Sequence, residues 1–426
     1  MNIPSVVLGK SVFWGLRALH RTGSALPGLV VEKTNRRFLA AMLTQLPQGV
    51  VVISGTNGKT TTTKLVTALL ESQGLRVLTN PTGSNFVRGT ISAVIDKATW
   101  GARLPYDIAV FEQDEAHAVH FARTVKPRGV LVLNIMRDQM DRFGEIDTTL
   151  QLLQVLALSA TEFVVLNAND ERVSRIKVKE GVNKLWYAHS EELQPDFLTD
   201  DQLYHAESAA YILAGKPNAE LVGYDENSVS LRLGVTPHHY KFQLAGGHNA
   251  LNLTAALTVL QQIVPQPDTA KLAAAILTVE PAFGRGETIQ LAPGNTVILQ
   301  LVKNPGGFTQ ALRMLELKSY KTVGIAINDD YPDGRDVSWL WDIDFESLQN
   351  GYHIRCSGDR AADMTNRLKY DEVLVEATEP DLAAFANSFS AAAGANSGDS
   401  IIFCTYTAML RLRELYLGAQ GGLDEV

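Results

Sequence analysis

A short glycine-containing turn between an apolar run and a helix-like segment constrains this chain more than any other feature. Residues 51–66 are VVISGTNGKTTTTKLV, in which Gly55 and Gly58 allow backbone N–H groups to approach an anion. The helix that follows adds a favourable dipole, and Lys59 can reach β- and γ-phosphates. The pattern predicts a phosphate-binding loop, although the general form has Gly where this chain has Ile53. The alternative is a strand–turn–helix connection that binds no ligand.

Buried β-rich runs alternate with helix-like segments after this point. The predicted strands are GVVVIS (49–54), DIAVFE (107–112), GVLVLNI (129–135) and EFVVLNA (162–168), and predicted helices include 59–72 and 146–159. Such alternation is typical of a mostly parallel, doubly wound sheet. The sequence therefore predicts the α/β class, with ligands bound beyond the carboxyl ends of the strands.

The chain has 426 residues, too many for one ordinary domain, and its pattern of apolar runs is interrupted by a glycine-rich polar segment near residues 284–294. A second alternation follows, with predicted strands in NTVILQLV, KTVGIAIN (321–328), HIRCSG (353–358), DEVLVEA (371–377) and SIIFCT (400–405). We therefore expect three parts along the chain. They are an N-terminal helical segment packed on the central domain (1–45), a central nucleotide-binding domain (46–290) with a peripheral insertion (188–243), and a smaller C-terminal α/β domain (291–426).

Composition excludes several classes of protein. With 46% hydrophobic and 20% charged residues, the chain is neither disordered nor a coiled coil. A formal net charge of −8 disfavours general nucleic-acid binding but permits a local basic site for an anionic substrate. Cys356 and Cys404 stand in apolar runs, so we expect two buried, reduced thiols. Every apolar run is far shorter than the roughly 20 residues that a membrane span needs.

The N-terminal segment carries short apolar patches broken by basic residues, and we expect no signal peptide in it. One helical face is predicted from the spacing of Val7, Phe13, Leu16 and Leu19. We expect this helix to pack on the central domain. The alternative is a helix that lies on a membrane surface.

Acidic residues follow one of the predicted strands directly. Glu112, Asp114 and Glu115 stand at this strand end, and one of these carboxylates, with the hydroxyl of Thr60, can hold Mg²⁺. The alternative for this cluster is a solvated strand end. The next polar run, RDQMDRFGEID (137–147), also has the composition of a site rather than of a core.

Several further polar residues are candidates for nucleotide contacts. The full predicted set is Gly55, Thr56, Asn57, Gly58, Lys59, Thr60, Thr61, Asn134, Asn167, Asp170, His248, Asn249, Asn252 and Arg285. Asn167 and Asp170 suit base or ribose hydroxyl groups, and Arg285 suits a phosphate at the domain junction. Each asparagine, taken alone, is better explained as a helix cap or a turn residue.

The order of these motifs resembles the Mur ligase superfamily, whose members use ATP to form an amide from a carboxylate. The shared motifs are GTNGKTTTT, the acidic strand end, NxND, GxHNxxN and GRxE, over residues 50 to 290. Within the superfamily the chain resembles the MurT family, on the segments RDQMDRFGEID, LVKNPGGF (301–308), NDDYPDGRDVSWLWDIDFE (328–346) and DRAADMTNRLKY (359–370). The resemblance implies a Mur ligase central P-loop domain followed by a smaller Rossmann-like α/β domain.

What the MurT resemblance implies is an ATP- and Mg²⁺-dependent amidotransferase of two subunits. It would convert the D-iso-glutamate α-carboxylate of the lipid II stem peptide to D-isoglutamine through an acyl phosphate. Ammonia would come from a GatD-type glutaminase in contact with the C-terminal domain. The resemblance also implies a cytoplasmic protein acting at the inner face of the cytoplasmic membrane, with catalytic roles for Lys59 and Glu112.

A third catalytic role is implied for Asp336, in the segment GRDVSWLWD. In the MurT family the aspartate of this motif completes the Cys–His pair of the glutaminase as the third member of the triad. The alternative is that Asp336 caps the helix that VSWLWD predicts.

Three departures from family patterns are visible in the sequence. Gln139 stands where ordinary Mur ligases have His, and residues 188–243 contain no cysteine, so we expect no zinc ribbon. The leading domain of about 100 residues that binds a uridine nucleotide in other Mur ligases is also expected to be missing. The alternatives to an amidotransferase are an amino-acid ligase of the folylpolyglutamate synthase kind and a nucleotide-binding regulatory protein without chemistry.

Overall fold

The structure is a computed structural model of the whole chain. It describes residues 2–18, 25–80, 86–136, 146–197, 211–244, 246–281, 284–292, 295–317, 319–349, 351–396 and 399–418. Most of the polar run at 137–147, including Gln139, and residues 198–210 of the predicted insertion lie outside the described residues.

A large sheet organises the first part of the chain. Its described strands are β1 Val50–Ser54, β2 Val77–Thr79, β3 Ile108–Glu112, β4 Gly129–Val132, β5 Phe163–Asn167, β6 Asn183–His189, β7 Ala219–Tyr224, β8 Ser228–Leu233 and β9 Thr236–Lys241. Their order is β2-β3-β1-β4-β5-β6-β7-β8-β9. Pairing is parallel from β2 to β7 and antiparallel from β7 to β9. The predicted mostly parallel sheet is confirmed.

Helices cover both faces of this sheet, and its inner strands β1, β3, β4 and β5 are buried at every position. The helices are α1 Ile3–Ala18, α2 Leu26–Thr34, α3 Phe38–Leu43, α4 Lys59–Ser72, α5 Val87–Lys97, α6 Glu115–Thr124, α7 Ile146–Leu158, α8 Glu171–Ser174, α9 Gly247–Ile263 and α10 Thr269–Thr278. Val50 and Val52 of β1 pack toward α2, α3 and α5–α7, whereas Val51 and Ile53 pack toward α4, α9 and α10. This alternation places α4 and α9 side by side on one face.

The N-terminal helices pack against α5. Gly28 of α2 donates its N–H to Ser92 Oγ at 2.9 Å, and a Cβ at Gly28 would lie 2.0 Å from the Arg88 carbonyl oxygen. The packed face of α1 includes Val6 and Phe13, but Val7 is exposed. The predicted face was therefore wrong at Val7, because the helix contacts α5 on the side that carries Val6.

The segment at 188–243 continues the large sheet. β7 pairs in parallel with β6, and β8 and β9 form the predicted hairpin around SVSLRLGVTPHHYKFQL. This described part of the segment thus extends one edge of the sheet.

A smaller sheet organises the rest of the chain. Its described strands are β10 Arg285–Ala292, β11 Asn295–Leu301, β12 Tyr320–Ala326, β13 His353–Ser357, β14 Val375–Glu379 and β15 Asp399–Cys404, in the order β10-β11-β15-β12-β13-β14. The helices are α11 Pro305–Leu312, α12 Met314–Leu317, α13 Ala361–Tyr370, α14 Leu382–Ala395 and α15 Tyr406–Leu417. Short 3₁₀ turns cover Glu191–Asp196, Ser338–Asp342 and Glu346–Leu348. The predicted α/β architecture with a second, smaller sheet is confirmed.

Two details of this part differ from the sequence prediction. The proposed division between residues 290 and 291 falls inside β10, which already belongs to the smaller sheet. The strand predicted at 371–377 begins only at Val375, because Asp371 accepts hydrogen bonds from Phe345 N–H and from the Arg367 guanidinium at the end of α13. Cys356 and Cys404 are buried free thiols, as predicted, and burial raises the pKa of Cys356 to about 12.

None of the described helices combines the length and the apolar character needed to cross a membrane.

Candidate active site

The turn between β1 and α4 has a backbone that requires glycine at two positions. Gly55 has φ +131°, and a Cβ there would lie 3.0 Å from both the N and O atoms of Asn134. Gly58 has φ +87°, and a Cβ there would lie 2.6 Å from Asn252 Oδ1. α4 begins at Lys59 without a side-chain cap. Its first N–H groups therefore suit an anion, as a phosphate-binding loop requires.

Asn134 shapes this loop from the end of β4. Asn57 N–H donates to Asn134 Oδ1 at 2.8 Å, and Asn134 Nδ2 donates to the Asn57 carbonyl at 3.0 Å. Thr56 N–H also donates to the Asn134 carbonyl at 3.1 Å. The side chain predicted to contact the nucleotide thus holds the loop that would bind it, and a direct contact stays a prediction.

Lys59 is buried and folded back over the loop. Its Nζ lies 2.5 Å from the Gly55 carbonyl, 3.3 Å from the Thr56 carbonyl and 3.2 Å from Glu115 Oε2. The side chains of both Lys59 and Glu115 are less than a tenth exposed. Glu115 therefore compensates the ammonium charge, which stays at the place where phosphate oxygens would arrive.

The three acidic residues of the strand end have separate surroundings. Asp114 caps α6 by accepting from Ala116 N–H at 3.2 Å, and Glu115 pairs with Lys59. Glu112 and Thr60 line one cleft of about 500 Å³ beside α4. A carboxylate and a hydroxyl on one cleft fit Mg²⁺, which takes oxygen ligands and often only one or two from protein.

A second cavity, of about 70 Å³, brings together four separate segments of the chain. Seven of the residues that line it were predicted from the sequence as nucleotide contacts: Asn57, Gly58, Thr61, His248, Asn249, Asn252 and Arg285. Its other lining residues come from the strand and helix of the smaller sheet, at Gln300–Lys303, Gly307 and Gln310. Thr60 lines the cleft and Thr61 lines this cavity, so the cleft and the cavity both lie beside the first turn of α4.

Asn167 is the last residue of β5, and Asp170 caps the short helix α8 that follows it. Asp170 accepts from the N–H groups of Arg172 and Val173 at 2.9 Å and from Ile135 N–H at 3.0 Å. Burial raises the pKa of Asp170, and these three N–H donors lower it again in part. Asn167 Oδ1 accepts from Asn169 N–H at 3.0 Å. Both side chains shape the ends of neighbouring strands, and nucleotide contacts by them stay a prediction.

Sequence reasoning assigned no role to Lys303 and Asn304, although it singled out LVKNPGGF. Asn304 Nδ2 donates to Asn57 Oδ1 at 3.0 Å, and Asn57 Nδ2 donates to Asn304 Oδ1 at 3.2 Å. Lys303 Nζ donates to the Thr56 carbonyl at 3.3 Å. These contacts join the smaller sheet to the loop across 247 residues of sequence. The only local signal was the Asn-Pro-Gly-Gly pattern, which marks Asn304 as the cap of α11.

Asp336 lies apart from both cavities, on an exposed loop after β12. Its Oδ1 accepts from Ser338 N–H at 2.8 Å, at the start of the 3₁₀ turn Ser338–Asp342. Hydrogen bonds from Ser338 lower the pKa of Asp336, so the carboxylate is ionised at neutral pH. The cap predicted as the alternative is not formed, because the 3₁₀ turn follows Val337 and has no side-chain cap. The Asp336 side chain is exposed at the surface.

Comparison with known protein families and relatives shows to which family the chain belongs. The family model for the MurT ligase C-terminal domain matches residues 301–409, and the model for the Mur ligase middle domain matches residues 53–260. The chain is 32% identical to the MurT subunit of lipid II isoglutaminyl synthase (glutamine-hydrolyzing) from Staphylococcus aureus (strain COL), over 87% of this chain and 88% of that protein. The chain belongs to the MurT family. The corresponding subunit from Streptococcus pneumoniae (strain ATCC BAA-255 / R6) is 30% identical, over 97% of both chains.

Solved structures extend the likeness of this MurT-family ligase to the Mur ligase fold. MurF from Thermotoga maritima in complex with ADP has a TM-score of 0.68 and 16% identity, covering 91% of this chain and 83% of that chain. Folylpolyglutamate synthase from Mycobacterium tuberculosis, solved with ADP and AMPPCP, has a TM-score of 0.59 and 16% identity, covering 92% of this chain and 98% of that chain. At this identity the likeness shows the fold alone.

The Asn57–Asn304 pair of this MurT-family ligase predicts a measurable coupling. Asn304→Ser keeps an acceptor for the cap of α11 but cannot reach Asn57. Losing two amide hydrogen bonds of about 1 kcal/mol each should lower kcat/KM for ATP by up to roughly thirtyfold. Steady-state kinetics of Asn304→Ser, Asn57→Ala and the double variant check this. Additive effects would mean that the two side chains act independently.

His248 gives the MurT-family site a pH-dependent stability. Burial, and then the nearby Arg285 guanidinium, lower the pKa of His248 from 6.5 to about 4. The folded protein therefore holds a neutral imidazole, whereas the unfolded chain binds a proton below the usual pKa. The free energy of unfolding should fall as the pH drops from 6.5 to about 4, by less than about 1.4 kcal/mol per pH unit.

Urea denaturation at several pH values checks this prediction on the wild type and on His248→Gln. We expect a shallower pH dependence in the variant across the same window. Equal slopes in the two proteins would assign the acid sensitivity to other groups.

Proposed function

We propose that this MurT-family ligase amidates the D-iso-glutamate α-carboxylate of the lipid II stem peptide to D-isoglutamine, with ATP as the energy source. The observation that carries the proposal is that the glycine loop and Arg285 line one cavity, while Thr60 and Glu112 line the adjoining cleft. Lys59 lies on the carbonyl groups of the same loop. The named subunits of Staphylococcus aureus and Streptococcus pneumoniae support lipid II as the substrate.

The proposed reaction has two steps. A carboxylate oxygen of the stem peptide attacks the γ-phosphorus of ATP, the bond to the β-phosphate oxygen breaks, and ADP leaves. Ammonia then attacks the carbonyl carbon of the acyl phosphate, phosphate leaves with the C–O bond electrons, and the nitrogen loses one proton. Phosphorylation is needed because a carboxylate is a poor electrophile.

The chain supplies the charge stabilisation for the first step. The N–H groups at the start of α4 and the Lys59 ammonium would hold the β- and γ-phosphates. Thr60 and Glu112 would hold Mg²⁺, which neutralises charge on the phosphate oxygens when bound. Arg285 and the neutral His248 would contact the nucleotide from the smaller sheet and α9.

A separate glutaminase is required if glutamine is the nitrogen donor. Both cysteines of the chain are buried, and burial raises the pKa of each thiol, so neither suits a glutaminase nucleophile. We therefore propose a GatD-type partner in a heterodimer, whose Cys–His pair is completed by Asp336. In this arrangement the part of the chain that carries the large sheet binds ATP, and the part that begins with β10 contacts the partner. The complex would work at the cytoplasmic face of the membrane.

An oxygen-labelling experiment tests the acyl phosphate. The enzyme is given ATP, Mg²⁺, ammonium and lipid II whose stem carboxylate carries ¹⁸O. We expect one ¹⁸O atom in inorganic phosphate for each amide formed. Label in AMP, or phosphate without label, would contradict this mechanism. Amide formation only with an added amino acid would favour the ligase of the folylpolyglutamate synthase kind.

A further inference from the structure

The outer face of α1 is apolar and exposed. Ile3, Val7, Leu8 and Trp14 lie on this face, and Trp14 is 67% exposed. Ile3, Val7 and Trp14 are four and seven residues apart and form one helical stripe, and Leu8 lies beside this stripe. A surface helix ordinarily turns charged and polar residues to water, so this stripe has the character of a face that is covered in use.

The opposite side of α1 already has its partner. Val6 is fully buried, Phe13 packs on the same core, and a Cβ at Gly9 would lie 2.8 Å from the side chain of Ile95. Within the described residues, the helix is therefore apolar on its packed side and on its outer side. Repacking against its own domain cannot cover both faces at once.

A second tryptophan extends the exposed stripe. Trp100 lies in the turn after α5, is 56% exposed, and has Lys10 Nζ 5.5 Å from its ring centroid. Arg103 is exposed in the same turn, where its N–H donates to Thr99 Oγ1. The apolar stripe and these cations thus form one surface, which we call the α1 face: the outer side of α1 with Lys10, Trp100 and Arg103.

The N-terminal sequence has a charge opposite to that of the whole chain. Residues 1–31 include Lys10, Arg17 and Arg21 and no acidic residue, although the chain has a formal net charge of −8. Asp96, whose backbone carbonyl accepts from Lys10 Nζ at 2.9 Å, has Lys97 Nζ 3.4 Å from its Oδ2. Aliphatic side chains, two tryptophans and lysine or arginine without acids are the composition of helices that lie in a membrane interface.

We infer that the α1 face docks on an anionic lipid bilayer, with α1 lying in the plane of the headgroups. The inference rests on the proposed function, because a lipid-linked substrate is reached only at a membrane surface. Tryptophan suits the boundary between headgroups and acyl chains, and the cations add attraction to anionic lipids. One short helix gives weak, reversible and salt-sensitive binding, which lets the enzyme move between substrate molecules.

Vesicle co-sedimentation tests the inference on the full chain. The vesicles contain phosphatidylglycerol and phosphatidylcholine, or phosphatidylcholine alone, with neither lipid II nor ATP present. The double variant Val7→Glu/Trp14→Glu changes two exposed residues of the α1 face. Val235→Glu is the matched control, because Val235 is 82% exposed in the turn between β8 and β9.

We expect wild type and Val235→Glu to bind the anionic vesicles, and the double variant to show at least a roughly tenfold lower ratio of bound to free protein. Added salt should weaken wild-type binding. Lack of wild-type binding, or equal binding by the double variant, would overturn the inference. So would a wild-type dimer that the double variant abolishes without any vesicle binding, because the α1 face would then join two copies.

The same variant separates this inference from the proposed function. In detergent solution, amidation by the double variant should equal that of wild type, whereas with lipid II in vesicles its KM should rise. A wild-type enzyme that binds vesicles but does not amidate lipid II would support membrane docking by the α1 face and refute the proposed substrate. If the double variant had the wild-type KM for lipid II in vesicles, membrane docking by the α1 face would be contradicted and the proposed function would not.

Discussion

Lys59→Ala is expected to lower kcat for ATP-dependent amide formation at least about a thousandfold. The Lys59 ammonium is fixed within 3.3 Å of two loop carbonyls, at the place where the γ-phosphate would arrive. Its charge would be most valuable when phosphoryl transfer spreads negative charge over the phosphate oxygens. Release of ADP and of amidated product, both measured at saturating ATP, check the loss.

A loss of folding must be distinguished from a loss of chemistry in this variant. Lys59→Ala leaves the buried Glu115 carboxylate without its cation, which is destabilising. The double variant Lys59→Ala/Glu115→Gln removes that unpaired charge and should regain thermal stability while remaining inactive. Lys126→Ala, at an exposed position on the same domain, should keep wild-type activity. A folded double variant that retains more than a few per cent of wild-type activity would remove Lys59 from the proposed mechanism.

Asp336→Asn is expected to separate the two nitrogen sources. In the complex with the glutaminase, glutamine-dependent amidation should fall by roughly 10³- to 10⁴-fold, as when the acid of a triad becomes an amide. Amidation driven by ammonium should be unchanged, because Asp336 lies apart from both cavities. Asparagine also caps turns, so the hydrogen bond from Ser338 N–H is retained in the variant.

Asp344 offers a matched control for this prediction. It is exposed, and its Oδ1 accepts from Glu346 N–H at 2.8 Å, in the same way as Asp336 accepts from Ser338. Asp344→Asn should leave amidation with glutamine and amidation with ammonium unchanged. Equal losses with glutamine and with ammonium in Asp336→Asn would mean that the residue stabilises the ligase itself and serves no triad.

Elements with a strong local signal were predicted well. α4 spans Lys59–Ser72 as predicted, because glycine with positive φ forces the turn before it and an apolar stripe packs on α9. The β1, β3, β4 and β5 runs were recognised because strands buried on both faces are continuously apolar. His248 and Arg285 were predicted from the motifs GHNALN and GRGE, and the structure places both on the cavity beside the loop.

Contacts between distant segments were beyond local sequence signals. Asn304 and Asn57 look like two ordinary turn asparagines, and only the packing of the smaller sheet on the loop makes them partners. Asp170 has the pattern of a ligand-binding carboxylate, yet its oxygens accept three backbone N–H groups. Val7 was assigned to the wrong face, because α1 has apolar residues on both its packed and its exposed side, so periodicity alone did not identify the packed one.

The most direct test of the central claim is the fate of nitrogen from glutamine. The co-purified complex with its glutaminase is given ATP, Mg²⁺, lipid II and glutamine labelled with ¹⁵N at the amide, and the lipid product is analysed by mass spectrometry. We predict that one stem-peptide carboxylate becomes a ¹⁵N-carboxamide, that fragmentation places it on the D-iso-glutamate α-carbon side, and that ATP omission abolishes it. Hydrolysis of ATP with unchanged lipid II, from either labelled glutamine or labelled ammonium, would contradict the account.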